Sequence, residues 1–514
     1  MSNIQNEPIG PQAGAFLHVD DFDGDEQDWY IMQLAAEIGA DPDEAVRSIR
    51  AGIKRRARLL SPPPSDMSPV AVDAQGDERD AIPWPPGRAG AIARFIYQTS
   101  YSPIQEVAIT ATLALLSGVC GRAYRTHTGK DLALYIILVA KSGVGKDALH
   151  EGIPMMLELS DRPLARYFVR ASDFASGEAL HKALLREPGF LYLQGEFGKK
   201  LKRMANPTDA PMQSFRNIML MAYGKKFLEG KEYSNPENSL NGVDWPSLSF
   251  VGETTPSTFL ECLTPDMMAD GFMSRFLVIS YGGGRPLPNP DRAASMSSED
   301  TVAWTALVDH TLDYQGPFFT PPAIEVQPDG NARSALDRFD LDCIAMLNAT
   351  DDESERQVWS RAHIKALKIA GLLAVIDHYL NPTIDIGHVR WAIHLVRRDV
   401  ETFQSQKREG NIGVSDDARQ QKLIAFIRDY ITKPVPKSYK VPAQMQADGI
   451  VPRSYLQMRS ASLNPFANHK LGASKALDDA IRSLIANGNL MEVKHDKVVE
   501  GYGFFGKAYR VLDL

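Results

Sequence analysis

The sequence predicts an α/β body on a mostly parallel sheet, with a helical lead-in, a helical lid and a small C-terminal helix-and-hairpin module. Three observations carry this. Apolar runs of strand length alternate with helix-length stretches between residues 132 and 281. Beyond a Gly- and Pro-rich loop at 282–300 the pattern turns purely helical. From about 416 the order is helix, helix, then two strands around a glycine-rich tip.

Taken in order, residues 1–60 are an acidic leader followed by a short helical segment. Glu7, Asp20, Asp21, Asp23, Asp25, Glu26 and Asp28 precede any Lys or Arg, and the spacing of Ile31, Leu34, Ala35 and Ile38 is that of a helix. Residues 61–87 hold Pro62, Pro63, Pro64, Pro69, Pro83, Pro85 and Pro86 and read as a linker. The body is expected over 88–410, with helices at 88–98 and 103–119, the latter carrying Ile104, Val107, Ala108, Ala111 and Leu115 on one face. Leu132 to Ala140 is a continuous apolar run, which fits a strand buried on both faces. A helix at 146–159 and strands Tyr167–Ala171, Phe190–Gln194, Leu248–Gly252 and Phe276–Tyr281 follow, then lid helices at 331–347, 354–380 and 386–407. The last domain spans 416–514, with helices at 418–431, 453–460 and 474–487 and strands Leu490–Lys494 and Lys507–Leu512, the order of a winged helix-turn-helix.

The 514 residues, 44% hydrophobic and 23% charged, suffice for several packed cores and exclude a disordered chain or a rod. No apolar run reaches the length of a membrane span. Cys120, Cys262 and Cys343 lie far apart, which excludes a disulfide framework or a zinc pair and points to a reducing, cytoplasmic setting. A net charge of −8 argues against a simple basic nucleic-acid binder. The charge is unevenly spread, however: from 415 onward fifteen Lys and Arg face ten Asp and Glu, a local +5.

The sharpest motif sits at the end of the buried apolar run: Ala140, Lys141, Ser142, Gly143, Val144, Gly145, Lys146, Asp147, with Ala148 opening the helix behind it. It follows the phosphate-loop pattern G-x-x-x-x-G-K-[ST], with Ala140 at the first glycine and Asp147 at the hydroxyl position. Gly143 and Gly145 let backbone N–H groups turn around a phosphate, the helix dipole favours the anion, and Lys146 reaches the outer phosphates. Phe190 to Gln194 is a second apolar strand; Gly195 stands where an acid usually helps hold Mg²⁺, and Glu196 is placed to orient or deprotonate an attacking water. Asp147 is expected to be the Mg²⁺ ligand that makes good the absence at Gly195. Thr254, at the end of the strand Leu248–Gly252, is expected to sense the terminal phosphate; capping the following helix is its other reading.

The ordered run of motifs from 86 to 405 resembles the helicase-like ATPases of phage and mobile-element replication proteins, the primase–helicase-like family. The residues that carry the likeness are Pro103 to Gly121, Ser142 to Lys146, Glu196-Phe197-Gly198, Thr254-Thr255-Pro256, Asp270 to Phe276 and the stretch Ala366–Ile376. The resemblance implies an α/β P-loop NTPase core and an ATP-dependent DNA helicase or translocase of phage or mobile-element replication. It further implies Mg²⁺ and ATP as needs, a ring, most simply a hexamer, and single-stranded or forked DNA bound without sequence preference. Replisome proteins would be partners, a membrane would not, and a phage-encoded chain would work in the host cytoplasm. Arg275 would be an arginine finger reaching a neighbour's nucleotide, and Arg361 with Lys365 a second sensor. No primase cluster of carboxylates is present in the short N-terminal segment.

For DNA, Lys231, near Lys225 and Lys226 in a hairpin expected over 227–244, would sit where a pore loop touches the backbone; a solvated basic loop is the competing reading. In the last domain Lys475 and Arg482 share a helix face, and Lys494, Lys497 and Lys507 line the wing, an arrangement suited to phosphate contacts. Asp478 and Asp479 lie on that helix and would repel DNA, so a protein-docking module stays open. Two rivals to the motor reading also stand: a weakly hydrolysing nucleotide-binding scaffold or helicase loader that docks replisome partners, and a regulatory ATPase bound to specific DNA.

Overall fold

The computed structural model describes residues 82–512, apart from 233–238, 264–266, 269, 316–321, 409–415, 462, 468 and 470. The acidic leader, its helical segment and most of the linker therefore lie outside the described residues. Two compact units divide the rest, one ending at Ser405 and the other running from Gln406.

The first unit opens with α1 (Gly87–Thr99), α2 (Gln105–Cys120), β1 (Tyr124–Thr126), β2 (Tyr135–Ala140), α3 (Asp147–Leu159), β3 (Val169–Arg170), α4 (Gly177–Arg186) and β4 (Gly189–Gln194). It continues through α5 (Phe197–Met204), α6 (Ala210–Ala222), β5 (Phe227–Leu228), β6 (Val243–Asp244), β7 (Ser247–Thr254), α7 (Pro256–Cys262) and β8 (Phe276–Tyr281). The lid comprises α8 (Ser298–Leu312), β9 (Ile324–Pro328), α9 (Gly330–Asn348), α10 (Glu353–Asp377), β10 (Thr383–Ile384) and α11 (Ile386–Arg408).

Five strands form an all-parallel sheet in the order β3-β4-β7-β2-β8. Every residue of β2 is buried, as its unbroken apolar run requires of a central strand. The chain leaves β2 for the far edge at β3, while the connection after β7 crosses back over β2 to β8. Strand order therefore reverses at β2, and its carboxyl end is where an open α/β sheet takes a ligand. The fold is an α/β core on a parallel sheet.

α2 packs across β2, β4, β7 and β8 and is buried along nearly its whole length, not on one face as its periodicity suggested. Its buried hydroxyls bond back to the helix, Thr110 Oγ1 to Glu106 O at 2.7 Å and Thr112 Oγ1 to Ala108 O at 2.9 Å. That removes the cost of burying them, and a helix apolar all round belongs inside. Gly118 permits the close approach, since a Cβ there would lie 2.6 Å from Leu191 Cβ.

Two buried ion pairs bind the lid to the sheet. Lys365 of α10 lies 2.7 Å from Asp399 of α11 and donates to Phe276 O at 2.5 Å, while Asp399 accepts from Val278 N at 2.9 Å. Lys368 pairs with Asp131 at 2.7 Å and donates to Ala133 O at 2.9 Å. Unpaired, any of these charges would be costly to bury.

Several local expectations change. The stretch read as purely helical contains β9 and β10, which with β1 form a small parallel sheet in the order β1-β9-β10. Both strands are short, and β9 is only partly buried, too little for a strong apolar signal. Tyr167–Ala171 shrinks to the two residues of β3, because Pro163 opens a 3-10 turn that runs to Phe168.

The second unit contains α12 (Asp416–Thr432), α13 (Ala443–Ala447), β11 (Ile450–Pro452), α14 (Arg453–Ser460), α15 (Asn464–Ala467), α16 (Ala473–Ala486), β12 (Leu490–Glu492), α17 (His495–Tyr502) and β13 (Ala508–Val511). The strands form an antiparallel sheet with β13 in the middle. Leu423, Ile427, Tyr430, Leu456, Leu477 and Leu484 build the core between its helices. The expected glycine-rich tip is instead α17, closed by Gly503 at φ +60.

Candidate nucleotide site

The loop between β2 and α3 has the geometry its glycines allow. Gly143 and Gly145 have φ of +73 and +99, so the backbone turns in a way L side chains resist. A Cβ on Gly145 would also collide with Ser102, which lies buried under the loop. α3 begins at Asp147 with no side-chain cap, leaving its first N–H groups for an anion. Ser142 and Gly143 are exposed, Val144 and Ala148 are buried, and Asp147 is exposed on the first turn.

Lys146 does not stand alone. Its Nζ lies 3.5 Å from Glu253 Oε2 on β7, and His150 Nε2, one turn along α3, lies 3.5 Å from Glu253 Oε1. The Glu253 side chain is only 14% exposed. Burial alone would raise its carboxyl, but His150 and Lys146 outweigh that and hold it below the usual carboxylate range. Oε2 is buried, with no donor closer than Lys146 Nζ.

The other expected site residues are more dispersed. Glu196 follows the carboxyl end of β4 with φ +47, but its side chain is 74% exposed and paired with Lys199 at 2.5 Å. Thr254 is buried, with its hydroxyl against Gly198 of α5, on the other face of β7 from Glu253. Arg275 precedes β8 at the opposite end of the sheet from the loop. Phe276 pairs with Tyr135 and Tyr281 with Ala140, so Arg275 is roughly 20 Å along the strands from its own phosphate loop. Its Nη1 donates to Gly271 O, and burial followed by the nearby Arg361 guanidinium lowers its affinity for the proton. Lys365 is buried against Asp399.

Of the basic residues expected at DNA, Lys231 lies beside the β5–β6 hairpin, bridged to Leu240 through its backbone and 3.8 Å from Glu178. Lys475 and Arg482 both approach Asp479, at 3.2 and 2.7 Å, while Lys494 and Lys497 are exposed around the start of α17.

Glu253 and His150 carried no expectation from the sequence. His150 is one helical turn from Lys146, which puts both on one face. Glu253 needed the register: β4 and β7 end on the pair Gln194 with Gly252, which brings Glu253 near Gly195. Among the described residues no three His, Cys, Asp or Glu side chains cluster closely enough to enclose a metal. The oxygens present still suit a Mg²⁺ ion that takes most of its ligands from phosphate and water, since the buried Glu253 Oε2 is held only by Lys146 at 3.5 Å.

No family model matches the chain, and no curated protein matches it. Among solved structures, a full-length MCM homolog from Methanopyrus kandleri is similar at 13% identity and a TM-score of 0.33. The likeness covers 64% of this chain and 63% of that one. No helix among the described residues is long and apolar enough to cross a membrane.

Proposed function

We propose that the chain is an ATP hydrolase that drives a DNA helicase or translocase during phage or mobile-element replication, working as a ring. The observation that carries the nucleotide part is the Gly143–Gly145–Lys146 turn at the carboxyl end of the central strand, opening onto an uncapped helix. That combination of inward N–H groups, dipole and ammonium is suited to a triphosphate. The DNA part rests on the order of motifs that resembles phage and mobile-element helicase-like ATPases.

In this reading the loop from Ser142 to Ala148 holds the phosphates and Lys146 contacts the outer two. Mg²⁺, when bound, neutralises charge on the phosphate oxygens, with Asp147 at its side. Glu196 orients water once it is released from Lys199. Thr254 supports α5, the helix that follows Glu196. Arg275 is too far from its own loop and acts on the nucleotide of a neighbouring subunit. The C-terminal unit serves as a winged-helix module; its exposed Lys494 and Lys497 meet DNA backbone, whereas Asp479 already occupies Lys475 and Arg482.

Equilibrium binding and turnover in two variants test this. Lys146→Ala should lose both nucleotide affinity and hydrolysis, and Glu196→Gln should keep affinity and lose hydrolysis. Unchanged turnover in Lys146→Ala removes the site. One observation favours the scaffold or loader reading instead: the outward Glu196–Lys199 pair. On that reading Glu196→Gln changes nothing.

A further inference from the structure

The position opposite the phosphate loop where an acid is wanted, residue 195, is a glycine, yet the pocket there is not without a carboxylate. Gly195 and Glu253 each come one residue after the last pair of β4 and β7, Gln194 with Gly252, which brings the two positions close together. A Cβ built on Gly195 would sit 3.9 Å from Glu253 Oε1 and 3.4 Å from His150 Cε1. The carboxylate of β7 thus reaches over the place that a side chain on β4 would fill.

We infer that Glu253 is the metal-side carboxylate of the nucleotide site, moved across by one strand from position 195, and that His150 positions it. This rests on the nucleotide reading above and adds a residue to it. Three observations converge. Glu253 Oε2 is buried with the Lys146 ammonium 3.5 Å away and no closer donor, so it keeps acceptor capacity for a cation or its bound water. The same oxygen is the nearest anion to Lys146, the group that meets the outer phosphates, so it already lies beside the path those phosphates take. His150 holds the other oxygen, as an outer partner holds a metal ligand. An acid at 195 as well would place a second negative charge beside Glu253. The glycine there keeps the site at one carboxylate from the sheet, with Asp147 on the helix side.

Binding of a fluorescent ATP analogue to the full chain tests this, read in EDTA and across a Mg²⁺ titration. Glu253→Gln should raise the Mg²⁺ concentration for half-maximal tightening by about 10-fold or more. Its binding in EDTA should be unchanged or tighter, because Lys146 has lost its competing anion. Restoring an acid on the neighbouring strand, G195D with E253A, should recover part of the Mg²⁺ response that E253A alone loses. A wild-type Mg²⁺ midpoint in Glu253→Gln, or no recovery in the double variant, overturns the assignment. Should the amide variant not fold, Glu253→Asp carries the test: a raised midpoint supports the assignment and an unchanged one overturns it. Failure of the nucleotide reading looks different, since the wild type would then bind no analogue at any Mg²⁺ concentration, and both inferences fall together.

Discussion

Replacing Lys365 with methionine should be among the most damaging single changes in the body, although it touches no expected ligand. Lys365 and Asp399 have side chains 1% and 0% exposed. With the ammonium gone, Asp399 keeps only the Val278 N–H, and a carboxylate is left buried without its counter-charge. Breaking such a pair from one side costs about 3–5 kcal/mol, most of it the penalty on the charge left behind. Removing both partners, as in K365M with D399L, should therefore recover much of the loss. The pH dependence follows from Asp399. Burial raises its carboxyl value even with Lys365 opposing, and removing Lys365 raises it further. Between its unfolded and folded values the group then binds more protons when folded, so stability falls as pH rises through that window. The deficit of K365M should be smaller near pH 5 than near pH 8. Denaturant unfolding followed by tryptophan fluorescence, at both pH values, measures this. A deficit under about 1 kcal/mol at neutral pH, typical of a surface pair, would refute the reasoning, as would a deficit that grows on acidification.

Gly145→Ala combines a φ of +99 with a collision against Ser102, so nucleotide affinity should collapse; a variant that binds as the wild type would mean that the loop adopts another path. Arg275→Ala should bind nucleotide normally yet hydrolyse slowly, and mixing it with Lys146→Ala should restore part of the rate, read as turnover against mixing ratio with subunit exchange verified. An Arg275→Ala protein with full activity would leave the arginine a purely structural residue. Ending the chain before residue 416 should weaken DNA affinity and flatten its salt dependence, since a +5 segment goes with it; equal affinity at matched salt would reassign that unit to protein contacts.

The body was legible where burial is continuous. The apolar run Leu132 to Ala140 has one sensible place, the middle of a parallel sheet, and the glycines behind it announce a turn. Legibility failed where structure depends on pairing. β9 and β10 are short segments that pair with each other and, through β9, with β1, and no local pattern announces such partners. The site failed for the same reason. Thr254 and Glu253 are neighbours in sequence but lie on opposite faces of β7, and only the register with β4 reveals which one looks toward Lys146. Lys365 opens a stretch of α10 in the manner of a sensor. Its burial beside Asp399 depends on a residue 34 positions away, which one-dimensional spacing does not report.

ATP hydrolysis by the full chain, measured with and without single-stranded DNA, bears most directly on whether this nucleotide site powers movement on DNA. A motor should turn over slowly alone, accelerate strongly on DNA, and lose both rates in Lys146→Ala. A flat, near-zero rate with DNA present, from a protein that binds nucleotide, would contradict the motor and leave the scaffold.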